Sequence, residues 1–185
     1  LKDVPGEATL EGFLFPDTYY FSYDVSLDEI LRKMLENFDK KLIPELREEI
    51  EKQRKSIYEI LIMASLIEKE VKTSEDKELV SGILWKRLGN NIPLQVDATI
   101  SYITGKKTTE VSIEETKIDS PYNTYKYRGL PLGPISNPGL ESIIASIYPE
   151  SSEYWYYLST PEGETIFSKT LEEHNIANAK YLKNS

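Results

Sequence analysis

Apolar residues recur along this chain at helical spacing, and one start signal appears three times. Ser26 with Glu29, Ser56 with Glu59, and Thr170 with Glu173 each form the Ser/Thr-x-x-Glu pattern of a capping box, which predicts a helix at each. After the first, Leu27, Ile30, Leu31, Met34, Leu35 and Phe38 share one face up to about residue 41. Pro44 restarts a highly charged helix through Arg54, with Leu46 and Ile50 turned inward. After Ser56, Ile57, Ile60, Leu61, Ala64 and Val71 fall on one helical arc. Thr73 or Ser74 caps a helix carrying Leu79, Val80, Ile83, Leu84 and Leu88, which Gly89 ends from the usual C-terminal position.

The pattern then shortens. Residues 92–96 read as an extended piece, and Asp97 as the cap of a helix through Tyr102 that stops at Gly105. Residues 106–119 are polar and read as a surface excursion. The segment 120–139, SPYNTYKYRGLPLGPISNPG, carries four prolines and three glycines interleaved with Tyr122, Tyr125 and Tyr127. Its aromatics argue for a pre-formed binding loop over a flexible linker. Asn137-Pro138 opens a helix with Leu140, Ile143, Ile144 and Ile147 inward. Tyr154 to Ser159, a turn at 161–164 and Thr165 to Phe167 make a hairpin. The last helix runs through Leu182. Helices and short strands mix without a βαβ rhythm, so the fold class is α+β. Residues 1–55 read as an opening segment and small helical subdomain, and residues 56–185 as the main functional domain.

Composition narrows the function. A formal charge of −9 and a pI near 4.8 argue against a nucleic-acid binder. There is no cysteine and one histidine, His174, which argues against a thiolate zinc site, a histidine-rich metal centre or a Ser-His-Asp machine. His174 reads as structural. No run of 18 apolar residues spans a membrane. The loop-like start at Leu1 reads as a chain cut from something longer, from which an anchor could have been removed. Tyrosine is abundant, at 13 residues, and suits sugar rings as well as strand packing.

One carboxylate stands out on this pattern. Glu68 falls inside the apolar arc beside Leu61 and Ala64, whereas Lys69 and Glu70 point elsewhere, Glu70 onto a more polar arc as a surface or supporting residue. A carboxyl facing a core is protonated or finds donors, and a raised pKa suits a general acid. Two readings stay open on the residues alone, a catalytic acid or a structural glutamate held by an arginine or by backbone donors. Glu11 and Glu70 are the alternative acids.

Five separated segments resemble the YceG-like endolytic murein transglycosylases: LEGFLFPDTYYF at 10–21, ASLIEKEV at 64–71, LWKRLGNNIPLQVDATISY at 84–102, the loop 120–139, and LEEHNIANAKYL at 171–182. The resemblance implies a YceG-like catalytic domain that cleaves the β-1,4 bond between N-acetylmuramic acid and N-acetylglucosamine in nascent glycan strands, leaving 1,6-anhydro ends. It implies Glu68 as acid and base. It implies Gln95, Asp97, Tyr122, Asn123, Thr124 and Tyr125 as substrate-binding residues, with helix capping an equal role for Asp97. One carboxyl suffices, because the muramoyl C6 hydroxyl attacks intramolecularly. No metal or cofactor is called for. The resemblance also implies a membrane-anchored parent protein, acting outside the cytoplasm beside penicillin-binding synthases. A water-using muramidase with Asp97 or Glu11 as second carboxylate, and a noncatalytic glycan-binding scaffold, are the competing readings.

Overall fold

The computed structural model describes residues 4–6, 8–106 and 111–182. Leu1 and residues 107–110 of the polar excursion lie outside the described residues.

Seven α-helices and one two-stranded antiparallel sheet are formed among the described residues, which is α+β. Helices α1 (Leu27–Lys41), α3 (Ile57–Glu70) and α7 (Leu171–Tyr181) all begin with the reciprocal hydrogen bonds of a capping box. Pro44 occupies the first turn of α2 (Pro44–Lys52), which ends two residues before the left-handed Arg54, φ 57°. Thr73 caps α4 (Ser74–Gly89). Gly89 is its last helical residue, and the left-handed turn expected there falls on Asn91, φ 55°. Helix α5 (Asp97–Thr104) ends at a left-handed Gly105, as expected.

Helix α6 (Leu140–Ile147) starts later than Asn137-Pro138 predicts. The Asn137 side chain is engaged elsewhere: its Oδ1 accepts from the backbone N–H of Gly12 (2.8 Å) and of Leu14 (3.1 Å), tying the opening segment to the end of the proline-rich loop. Strands β1 (Tyr156–Ser159) and β2 (Thr165–Ser168) pair with Tyr157 opposite Phe167 and Ser159 opposite Thr165.

Helix α3 is the axis of the molecule. Ile60 through Ile67 are all buried, so every face of its middle is covered. Ile60, Leu61 and Ala64 belong to a core shared with Phe13, Phe15, α1, α2 and α6. Met63, Leu66 and Ile67 belong to a second core with α4, Leu94, Val96 and Ile135, against which Tyr157 and Phe167 of the hairpin lie. Leu61, Met63, Leu66 and Ile67 are fully buried, each contributing about 2 kcal/mol. The position of α3 is therefore fixed from both sides. Helix α4 comes close to the segment after α6 at Gly82, where a Cβ would lie 1.8 Å from the carbonyl oxygen of Glu150.

The proline-rich loop is pinned along its length. Asn123, 1% exposed, donates its amide hydrogens to the carbonyls of Thr116 (3.0 Å) and Ile118 (2.8 Å), while its Oδ1 accepts from the N–H of Tyr125 and of Lys126. The N–H of Ile135 donates to Ser65 Oγ of α3 at 3.0 Å, and Ser136 Oγ donates to the Ser65 carbonyl. A segment of this composition holds one shape because side-chain amides and hydroxyls replace the missing ladder. No helix among the described residues is long and apolar enough to cross a membrane.

Candidate active site

Glu68 and Glu70 leave the C-terminal turn of α3 roughly 200° apart. Glu68 Oε2 accepts from the backbone N–H of Gly139 (3.2 Å) and from Ser142 Oγ, and lies 3.9 Å from Lys77 Nζ. Gly139 is the N-cap of α6, and Glu68 takes the backbone N–H of that residue together with the hydroxyl of Ser142 in the first turn. A carboxylate at that end is also favoured by the helix dipole. Lys77, 9% exposed at its side chain, bridges Glu68 and Glu141 (3.2 Å).

Glu70 is not the surface residue that the polar arc predicts. It is half-buried, and its Oε2 accepts at 3.0 Å from the hydroxyl of Tyr157, a residue packed against the second core. Burial pushes its pKa up to about 7. The Tyr157 hydroxyl opposes the shift, the Asp97 charge adds to it, and the Ala98 N–H opposes it. The reason for the miss is visible on the helix. Met63, Leu66, Ile67 and Glu70 repeat at i, i+3, i+4 and i+7, a second apolar stripe beside that of Leu61, Ala64 and Glu68. A helix covered on all faces has no single inward arc.

The side chains implied by the resemblance gather on the Glu70 side. Asp97 is the first residue of α5 rather than its cap, and its Oδ1 accepts from the Tyr125 hydroxyl. Burial raises the Asp97 pKa, with that hydrogen bond opposing. Burial, with the Asp97 charge, holds the Tyr125 phenol far above its ordinary value, so it remains a neutral donor. Gln95 has a left-handed backbone, φ 53°, which is costly for a residue with a side chain. It is held by its N–H to the Thr124 carbonyl (3.1 Å) and by Arg87 Nη2 donating to its Oε1 (2.7 Å).

Asn123 and Thr124 lie beneath the site, each 1% exposed. Thr124 Oγ1 accepts from the Val96 N–H (3.0 Å) and stands 3.1 Å from Thr99 Oγ1, fastening the loop to the start of α5. Tyr122 packs its ring 4.9 Å from Tyr102, whose hydroxyl donates to Glu11 Oε2 at 2.9 Å. That contact accounts for Glu11.

Arg87, Tyr156 and Tyr157 enter the site without having been singled out. Arg87 is 7% exposed and stands 5.7 Å from the ring centre of Tyr156, on whose ring His174 stacks at 5.3 Å. Burial, then the charge of Arg87, lowers the His174 pKa, which favours neutral imidazole. The signal for Tyr157 lay in strand alternation: Tyr157 and Ser159 share one face of β1, and both reach α3.

The site thus joins a half-buried carboxyl of raised pKa to a second carboxyl and a set of neutral phenol donors. It can hold and release a proton near neutral pH beside hydrogen-bonding groups suited to hydroxyl-rich ligands.

Comparison with known proteins bears on the same region. The YceG-like family matches residues 2–180. An endolytic murein transglycosylase of Bacillus subtilis is 41% identical over 174 residues, covering 94% of this chain and 48% of that protein. One of Streptococcus pneumoniae is 35% identical over 188 residues, covering 98% of this chain and 34% of that protein. The chain therefore spans half or less of the length of these relatives. A crystal structure of a yceG-like protein from Listeria monocytogenes superposes with a TM-score of 0.85 at 42% identity, covering 91% of this chain and 55% of that one.

Proposed function

This chain belongs to the YceG-like family, and we propose that it forms the catalytic part of a lytic transglycosylase cutting the β-1,4 bond between N-acetylmuramic acid and N-acetylglucosamine in peptidoglycan glycan strands. One observation carries the reading: the half-buried carboxyl of Glu70 accepts from the Tyr157 hydroxyl beside Asp97 and Tyr125, and desolvation pushes its pKa up to about 7. We assign the acid to Glu70 in place of Glu68, whose carboxylate is engaged by Gly139 N–H and Ser142 Oγ at the start of α6.

In this mechanism Glu70, protonated, gives its proton to the glycosidic oxygen as the C1–O bond breaks. As carboxylate it then takes the proton of the muramoyl C6 hydroxyl, whose oxygen attacks C1. The products are a free 4-hydroxyl on N-acetylglucosamine and a 1,6-anhydro end, and no water is consumed. The attack is intramolecular, so proximity offsets the missing second carboxylate. A pKa near the working pH serves both halves of the cycle. Gln95, Asp97 and Tyr125 present polar groups to the sugars, while Tyr122, Asn123 and Thr124 hold the surface that carries them. Residues 56–185 are the transglycosylase part in this proposal, and within residues 1–55 Phe13, Phe15, Phe38, Leu46 and Ile50 brace α3 from the opposite core. The domain acts on the extracytoplasmic side of the membrane, next to the penicillin-binding synthases that make its substrate.

Asp97 keeps the muramidase reading in view, since it is a second carboxyl beside the first. Product analysis separates the two. Mass spectrometry of denuded glycan strands treated with wild type, Glu70→Gln and Glu68→Gln is expected to show anhydro-muramoyl ends from wild type and Glu68→Gln, and none from Glu70→Gln. Reducing ends would make the enzyme a hydrolase. Loss of activity in a folded Glu68→Gln with retention in Glu70→Gln would return the acid to Glu68.

A further inference from the structure

The hairpin β1–β2 contributes to this site in a way that neither the family assignment nor the sequence motifs include. Tyr157 and Ser159, two positions apart on β1, point the same way. The Tyr157 hydroxyl donates to the carboxyl of Glu70 at 3.0 Å, and Ser159 Oγ donates to the Glu70 backbone carbonyl at 3.1 Å. Across the register Thr165 of β2 donates to Asp76 Oδ2 of α4 at 2.9 Å. A two-stranded hairpin is marginal alone, yet this one is held on its inner side by Tyr157 and Phe167 packing on the second core. It therefore grips the last residue of α3 at both its side chain and its main chain.

We propose that Tyr157 is a positioning residue, presented by the hairpin, that fixes the Glu70 carboxyl for proton transfer, with Ser159 fixing the backbone that carries it. The proposal rests on Glu70 being the acid. A phenol donating to a carboxyl favours the ionised form over the protonated one. Burial and the Glu70 charge hold the Tyr157 phenol well above its ordinary pKa, so it remains a donor across the working range. The other groups facing Glu70 are Asp97 and the Ala98 N–H from α5, while Arg87 of α4 and Tyr125 of the proline-rich loop reach it through Tyr157 and Asp97. Among the described residues, Tyr157 alone combines a hydroxyl contact to the carboxyl with a strand that also holds the Glu70 main chain.

The test reads the Glu70 proton directly. Carboxyl carbon shifts of glutamate-labelled protein, with Glu70→Gln assigning the signal, are followed over pH in wild type, in Tyr157→Phe, and in protein with 3-fluorotyrosine at position 157. Loss of a hydrogen bond to a charged group is expected to raise the Glu70 midpoint by about one to two pH units in Tyr157→Phe. The fluorinated phenol, a stronger donor of nearly the same shape, is expected to lower it, which keeps the test available should Tyr157→Phe not fold. The alkaline limb of kcat/KM for glycan cleavage moves with the midpoint. A Glu70 midpoint unmoved by either change overturns the proposal, even if activity falls. A midpoint that moves while the alkaline limb stays fixed supports the grip of Tyr157 on Glu70 and overturns Glu70 as the acid.

Discussion

Glu68 and Glu70 stand two residues apart on α3, yet their carboxyls meet different elements. One accepts from Gly139 and Ser142 at the start of α6, and the other from Tyr157 on the hairpin. Lys77 is within ion-pair distance of the first, whereas no cation forms an ion pair with the second among the described residues. The two carboxyls therefore have different surroundings, backbone and hydroxyl donors with a cation for the first, a phenol and the neighbouring Asp97 for the second.

Glu70 makes stability fall as pH rises. Its folded pKa of about 7 lies above the ordinary 4.5, so between those values the folded chain binds the proton that the unfolded chain releases. The contribution is full below pH 4.5 and is lost as pH climbs through 7, at most about 3 kcal/mol in all. Glu70→Gln is expected to melt progressively higher than wild type as pH is raised from 4.5 to 7. His174, with its lowered pKa, acts in the opposite sense in both proteins and cancels in the comparison. Parallel melting curves across that range would show that Glu70 carries no raised pKa.

Glu68→Ala should weaken the fold more than the chemistry. It strips the acceptor from Gly139 N–H and Ser142 Oγ and leaves Lys77 with Glu141 alone. A loss of about 1–3 kcal/mol in urea unfolding is expected, with anhydro ends still formed by the folded fraction.

Thr124→Val keeps the shape of a buried side chain and removes its oxygen. The Val96 N–H then loses its acceptor next to Asp97, at a cost of about 1–3 kcal/mol. Chemical denaturation measures that cost, and a lowered kcat on glycan strands would accompany it as the start of α5 loosens.

Gly82→Ala tests the close approach of α4 to Glu150. Alanine in a helix normally gains up to about 1 kcal/mol over glycine. Here the new Cβ would meet a carbonyl oxygen at 1.8 Å, so a net loss of about 1–3 kcal/mol is expected from the urea midpoint. A stabilised variant would show that the two segments can part freely.

The sequence was most legible where a signal is local. Ser26, Ser56 and Thr170 with their paired glutamates announce three helices, and Gly105 ends α5 where it should. The hairpin follows from its turn and its aromatic run. Legibility failed where the answer depends on which elements surround a side chain. Glu68 and Glu70 both sit above apolar stripes, and only the placement of α6 and the hairpin tells which donors each carboxyl meets. Asn123 looks the same in sequence whether its amide meets a ligand or, as here, its own loop. Arg87 reads as an ordinary last-turn cation of α4 until Gln95 and Tyr156 are folded against it.

The pinning of the proline-rich loop has a consequence for recognition. Asn123, Ser65 and Asn137 fix its backbone during folding, so the conformational entropy of that segment is lost once and is not demanded again by any ligand that docks there. Selectivity at this surface then comes from shape that is present beforehand. A ligand that does not match it gains nothing from waiting for the loop to adapt.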